Sequence, residues 1–274
     1  MASHEFTSVR SPRIKRARRL AKRAFREQER RFLAEGPQAL REALAVRDCV
    51  HELFVTADAA QRNIELVDAA RSADVPVYPV SVEVMGELAQ TVTPQGMVAV
   101  CEFVDVPLER VSRVRLAAVF SHIRDPGNAG TVLRTADAAG ADVVVFADTS
   151  VDPYNGKCVR ASAGSLFHSP VVVGVSASAA IEQLRGEGAR VLAAEVGGTR
   201  DLHTAADSGE LDRNVAWVFG NEAWGLPPDT AALTDEAVNV PIYGAAESLN
   251  LATAAAVCLY TTARQQRGQA TPPS

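Results

Sequence analysis

Three short stretches hold the polar residues of this chain whose types and spacing suit chemistry. The first is Asp125-Pro126-Gly127-Asn128-Ala129-Gly130, running into Arg134-Thr135. Pro126 and Gly127 form a turn, and Asn128 stands where it would cap the start of a helix. On that helix, read as Thr131 to Ala139, the inward stripe is Val132, Thr135, Ala136 and Ala139, which puts Arg134 on the opposite side. There Arg134 is either a solvated surface residue or a fork that grips a phosphate in bidentate fashion. The second stretch is Gly220-Asn221-Glu222-Ala223-Trp224-Gly225. Glycines on both sides of its carboxylate let a ligand approach the backbone, while the plain alternative is a capped turn before a helix at Pro228. The third runs from Val240, Pro241 and Ile242 through Gly244-Ala245-Ala246 to Ser248, Leu249 and Asn250. Ser248 or Asn250 can satisfy the free amides at a helix start, or point at a ligand.

Several chemistries are disfavoured by what the chain lacks. There is no G-x-G-x-x-G after the first strand, no P-loop Gly-Lys-Ser/Thr and no H-E-x-x-H, which disfavours ordinary dinucleotide, nucleoside triphosphate and zinc chemistry. Cys49, Cys101, Cys158 and Cys258 are scattered without metal-ligand spacing, as expected of buried thiols in a reducing cytoplasm. No apolar run is long enough to span a membrane, and the first ten residues hold no signal-peptide core.

The three stretches need elements to hold them, and each follows an apolar, Val-rich run. From residue 114 onward such runs alternate with helical patterns: 116–120, 142–147, 171–173, 190–195, 215–219 and 237–242 read as strands. Buried Val-rich strands with intervening helices predict an α/β domain with a mostly parallel sheet, whose ligands bind at the carboxyl ends of the strands. Upstream, residues 32–104 alternate on a smaller scale and predict a separate small α/β domain, with 105–113 as the linker. Residues 114–268 then form the large domain, and 269–274 a disordered tail. At 274 residues, 47% of them hydrophobic, the chain can bury one or two cores of this kind.

The net charge of -5 conceals a basic block. Between Arg10 and Arg31 there are eleven Lys or Arg residues against two acids, Glu27 and Glu29. A block this dense in good helix formers, among them Arg16, Arg19 and Arg23, predicts a basic helical arm over residues 1–31 that meets a nucleic acid. The alternative is a solvated helix that binds nothing in particular.

Taken together and in order, the three stretches resemble the SpoU/TrmH branch of the SPOUT RNA methyltransferases. The first family motif is matched by Asp125, Pro126, Asn128, Gly130, Arg134 and Thr135, the second by Gly220, Asn221, Glu222 and Gly225, and the third by Pro241, Ser248, Leu249 and Asn250. Arg160-Ala161-Ser162-Ala163-Gly164 resembles the family's intervening segment. Phe32, Glu35, Gly36 and Thr93-Pro94-Gln95-Gly96 resemble its accessory substrate-binding domain, so the likeness covers residues 26–267. A small departure is Leu251-Ala252-Thr253, where the family commonly has Val-Ser-Val.

The resemblance implies a C-terminal trefoil knot, S-adenosylmethionine as cofactor and a cytoplasmic homodimer that needs no metal. It implies methyl transfer to a ribose 2′-hydroxyl of structured RNA, with ribosomal RNA of the large subunit favoured. A tRNA substrate, or a noncatalytic RNA-binding or ribosome-assembly role, are the rivals. By position, Ala194, Gly220, Val240 and Leu249 are implied to line the cofactor pocket. Asn128, Arg134, Glu222, Ser248 and Asn250 are implied to be catalytic. Arg160, with Arg16, Arg19 and Arg23, is expected to face the RNA.

Overall fold

The computed structural model describes residues 5–268, so the tail expected at 269–274 lies outside the described residues. The chain divides into two compact units, residues 1–104 with 152–168, and residues 105–151 with 169–274.

In the first unit four strands, β1 (Arg31–Glu35), β2 (Val50–Val55), β3 (Val77–Pro79) and β4 (Met97–Glu102), form a sheet of order β1-β4-β2-β3. β4 is antiparallel to β1 and β2, and β3 is parallel to β2. The basic N-terminal block folds into two helices, Pro12–Arg19 and Arg23–Glu29, rather than one. Ile14 and Ala17 of the first helix and Leu20, which caps its C-terminus, are buried with Leu33, Phe54, Met85 and Val98. The block is therefore part of a core as well as a charged surface. Arg26 departs most from its sequence neighbours: it is 2% exposed, donates to the Leu20 and Ala21 carbonyls at 2.9 and 2.8 Å, and pairs with Asp152 at 2.6 Å. Residues 152–168 also bring Tyr154, whose ring stacks on Phe103 at 3.7 Å and whose hydroxyl accepts from the Val104 amide.

The second unit is built on seven strands: β5 (Leu116–Ser121), β6 (Val143–Ala147), β7 (Val171–Val175), β8 (Arg190–Ala194), β9 (Arg200–Asp201), β10 (Val215–Phe219) and β11 (Glu236–Asn239). Their order is β7-β6-β5-β10-β8-β11-β9, and every pairing is parallel. β5, β6 and β10 are buried along their whole length, as a parallel sheet covered on both faces requires. Leu108, Val111 and Val114 pack into this unit's core. β5 and β10 are adjacent although nearly a hundred residues apart in sequence, and β8 and β11 follow at once. This crossing of the strand order brings the loops after β5, β8, β10 and β11 to one sheet edge, where an open parallel sheet binds its ligands.

Candidate active site

The first stretch folds differently at its start from the pattern predicted. The helix runs Pro126–Ala139, and its cap is Asp125, whose Oδ1 accepts from the Asn128 amide at 2.8 Å. Asn128 is thus inside the first turn and is not the cap. Pro126 explains the shift, because its fixed φ and missing amide suit the first helical position, one residue after a capping carboxylate. With its backbone amide satisfied by Asp125, the Asn128 side chain is free to reach elsewhere. Arg134 sits on the exposed side of the helix, opposite buried Val132, Leu133 and Ala136, and makes no hydrogen bond or ion pair among the described residues.

The second stretch is a tight turn at the end of β10. Asn221 and Gly225 exchange both backbone hydrogen bonds, at 2.8 and 2.9 Å, leaving Glu222, Ala223 and Trp224 at the tip. Two glycines make it possible. Gly225 takes φ 74°, and a Cβ on Gly220 would lie 2.2 Å from the Gly225 carbonyl carbon. The buried Asn221 side chain staples the turn, donating to the His122 carbonyl at 2.8 Å and accepting from the Ala223 amide at 2.9 Å.

In the third stretch Asn250, not Ser248, caps the long C-terminal helix Leu251–Gly268, its Oδ1 accepting from the Ala252 amide at 2.9 Å. Its other side-chain atom works outside the helix. Asn250 Nδ2 donates to Asn128 Oδ1 at 3.3 Å, and Asn128 Nδ2 donates to Glu222 Oε1 at 3.1 Å. One amide, that of Asn128, thus joins all three stretches. Its acceptor faces an amide and its donor a carboxylate, so the direction of the chain is fixed by charge.

Beside this chain lies a cavity of about 690 Å3. Ala194, Gly220, Val240 and Leu249 line it, as do Glu222 and Ser248. Its walls are the loops after β8, β10 and β11, which offer apolar side chains and loop backbone, and its size is that of a small-molecule site. The RNA-facing candidates lie in the first unit. Arg160 pairs with Glu35 at 3.2 Å, Arg19 lies over the Phe25 ring at 3.9 Å, Arg23 pairs with Glu27 at 2.7 Å, and Arg16 is exposed.

The structure also brings in residues that the motifs did not mark. Ser121, His122 and Asp148 cluster behind the second stretch: Ser121 Oγ lies 2.8 Å from His122 Nδ1 and 2.7 Å from Asp148 Oδ2. The signal available in the sequence was position alone, since Ser121 ends β5 and His122 follows it, just ahead of the first stretch. Further away, Glu210 holds both Arg190 and Arg200, and Arg190 also pairs with Glu236 at 2.7 Å. Burial raises the Glu210 carboxyl, but the Ser208 hydroxyl and the two arginines outweigh it and hold it below its ordinary range. This network ties together β8, β9 and the start of β11, strands that carry two of the cavity loops.

Comparison with known proteins adds identity to this geometry. Residues 115–260 match the SpoU rRNA Methylase family, and residues 11–99 match the MRM3-like substrate binding domain. The chain is 33% identical over 258 residues to the 23S rRNA (guanosine(2553)-2′-O)-methyltransferase of Bacillus subtilis, covering 93% of this chain and 98% of that one. It is 33% identical over 207 residues to the 23S rRNA (uridine(2479)-2′-O)-methyltransferase of Streptomyces viridochromogenes, 74% of this chain and 71% of that one. A solved structure of an AdoMet-bound rRNA methyltransferase from Sinorhizobium meliloti superposes with a TM-score of 0.85 at 29% identity, over 98% of this chain and 99% of that one.

Proposed function

Because this chain belongs to the SpoU rRNA methylase family, we propose that it transfers a methyl group from S-adenosylmethionine to a ribose 2′-hydroxyl of 23S ribosomal RNA. The observation that carries this is the Glu222, Asn128, Asn250 chain beside the cavity, which joins three separate motifs into one site. A tRNA substrate or a noncatalytic role finds less support, since both relatives described are named as 23S ribose methyltransferases.

The residues present fit the cofactor. A cavity of about 690 Å3 with apolar walls at Ala194, Val240 and Leu249, and bare backbone at Gly220, suits an adenine ring and its ribose. When bound, S-adenosylmethionine supplies a methyl group that is already activated. The protein's own residues then have to place the hydroxyl in line and draw off its proton. Arg134 binds the phosphate next to the target ribose and polarises the 2′-hydroxyl. A guanidinium stays protonated in a protein, so Arg134 does not take the proton itself; the proton passes to solvent water as the methyl group leaves the sulfonium for the 2′-oxygen and the thioether is released. Asn128 and Glu222 hold the loops in register, and Ser248 and Asn250 position the ribose. Arg16, Arg19, Arg23 and Arg160 contact RNA phosphates from the substrate-binding unit. The working form is a cytoplasmic homodimer with a C-terminal trefoil knot.

Mapping 2′-O-methyl nucleotides in total RNA from cells with and without the protein tests the proposal. One methylated position in 23S rRNA should vanish with the protein. If every ribose methyl group persisted, the proposal would fail.

A further inference from the structure

The tip of the second stretch carries a residue to which the proposed reaction gives no task. Trp224 is 53% exposed and lines the cavity beside Glu222. Its place is fixed by the stapled turn beneath it, with both backbone bonds between Asn221 and Gly225 made and the Asn221 side chain committed on two sides. Behind it stands His122, whose ring meets the indole edge-on, with centroids 5.2 Å apart and planes at 64°. That imidazole is itself held. His122 has φ 60°, and its Nδ1 lies 2.8 Å from the Oγ of fully buried Ser121. Ser121 donates its single proton to Asp148 at 2.7 Å, so it accepts from Nδ1–H of His122. Asp148 is in turn anchored by the Ala177 amide at 3.0 Å.

An indole that is more than half exposed, and held from behind beside a polar site, offers a fixed aromatic face to a ligand. Unpaired bases are recognised by stacking on aromatic faces, and every base has such a face to offer. We infer that Trp224 is the platform on which an unpaired base of the RNA, at the target ribose, stacks, and that Ser121, His122 and Asp148 are positioning residues that aim it. The inference rests on the RNA methyltransferase function proposed above. It explains why a polar triad with no assigned catalytic task is built behind an exposed aromatic residue.

The chain has two tryptophans, which makes a direct test practical. Trp217 is fully buried, with its Nε1 donating to Thr262 at 2.9 Å, so a solvent-borne quencher reaches Trp224 alone. In the free protein, iodide should quench part of the fluorescence. Short single-stranded RNA should quench and shield the same part, an abasic strand should not, and Trp224→Phe should remove both responses. With protein-free 23S rRNA as substrate, Trp224→Ala should raise KM about tenfold, more than it lowers kcat, and Trp224→Phe should recover most of the loss. His122→Ala should show a smaller rise in KM of the same kind.

Three results overturn the inference. KM could stay unchanged in Trp224→Ala while the native enzyme methylates. Iodide could fail to reach Trp224 in the free protein, which would put a second copy of the chain over it. The loss could fall on S-adenosylmethionine affinity in calorimetry, which would make Trp224 a cofactor wall. If the native protein methylated no 23S rRNA, the proposed reaction would fail, and fluorescence with the oligonucleotides would still decide the stacking.

Discussion

Asn128 and Glu222, 94 residues apart in sequence, are joined by a hydrogen bond of 3.1 Å from the Asn128 Nδ2 to the Glu222 Oε1. The opposite end of the same amide accepts from Asn250. Asn128→Asp keeps the acceptor for Asn250 but sets a second carboxylate against Glu222, so the two loops repel. Methyl transfer should fall by tenfold or more, on the order of 1.4 kcal/mol. Adding Glu222→Gln restores a donor facing the new carboxylate, and the double variant should regain much of the lost kcat. If the double variant were no better than Asn128→Asp, the Glu222 charge would have a task beyond holding the loop.

Gly220→Ala should abolish cofactor binding. The added Cβ would lie 2.2 Å from the carbonyl carbon and 2.4 Å from the oxygen of Gly225, which are backbone atoms, so the turn that carries Glu222 must open. Titration calorimetry with S-adenosylmethionine should give no measurable heat for the variant, while circular dichroism stays native. Binding at the native affinity would contradict this account of the turn.

How much of this could be read from the sequence depended on the range of the interaction. The strands of the large unit were legible because buried parallel strands are nearly continuous runs of Val and Ala, as in Val143–Ala147 and Val215–Phe219. The three loops were legible as motifs, and the Asn250 cap as one of two options. The Asp125 cap was hidden because Asn128 is an equally good capping residue type, and only the position of Pro126 separates them. The Ser121, His122, Asp148 cluster was invisible, since it joins the ends of two strands by pairing that no local period encodes. Arg26 was the most misleading residue, because in a run of arginines nothing local separates a buried partner of Asp152 from its exposed neighbours.

Arg26→Ala should therefore act on stability, unlike its neighbours. It leaves Asp152, whose side chain is 10% exposed, without its ion-pair partner, and should cost about 3 kcal/mol. Thermal unfolding should shift down by several degrees. Arg16→Ala and Arg19→Ala should leave the melting curve nearly unchanged and weaken RNA binding with a shallower salt dependence. Equal melting of all three variants would remove the distinction drawn between Arg26 and the surface arginines.

The network around Glu210 gives a pH dependence with a definite sign. A carboxyl lowered on folding binds its proton less readily in the native state than in the unfolded chain. The stability it contributes is complete above the unfolded value of about 4.3 and is lost as pH falls through the lower native value. In urea unfolding, Glu210→Gln should be less stable than the native protein near neutral pH, with the gap closing in acid. A gap that widened as pH fell would contradict the assignment.

The most direct test is methyl transfer itself, with purified protein, protein-free 23S rRNA and S-adenosylmethionine tritiated in the methyl group, followed by digestion to nucleosides. The expected result is label in one 2′-O-methyl nucleoside. The same label should be absent with Arg134→Ala, although that variant binds S-adenosylmethionine and melts like the native protein, since Arg134 has no partner among the described residues to lose. Label in a base, no label from the native protein, or full activity of Arg134→Ala would contradict the account.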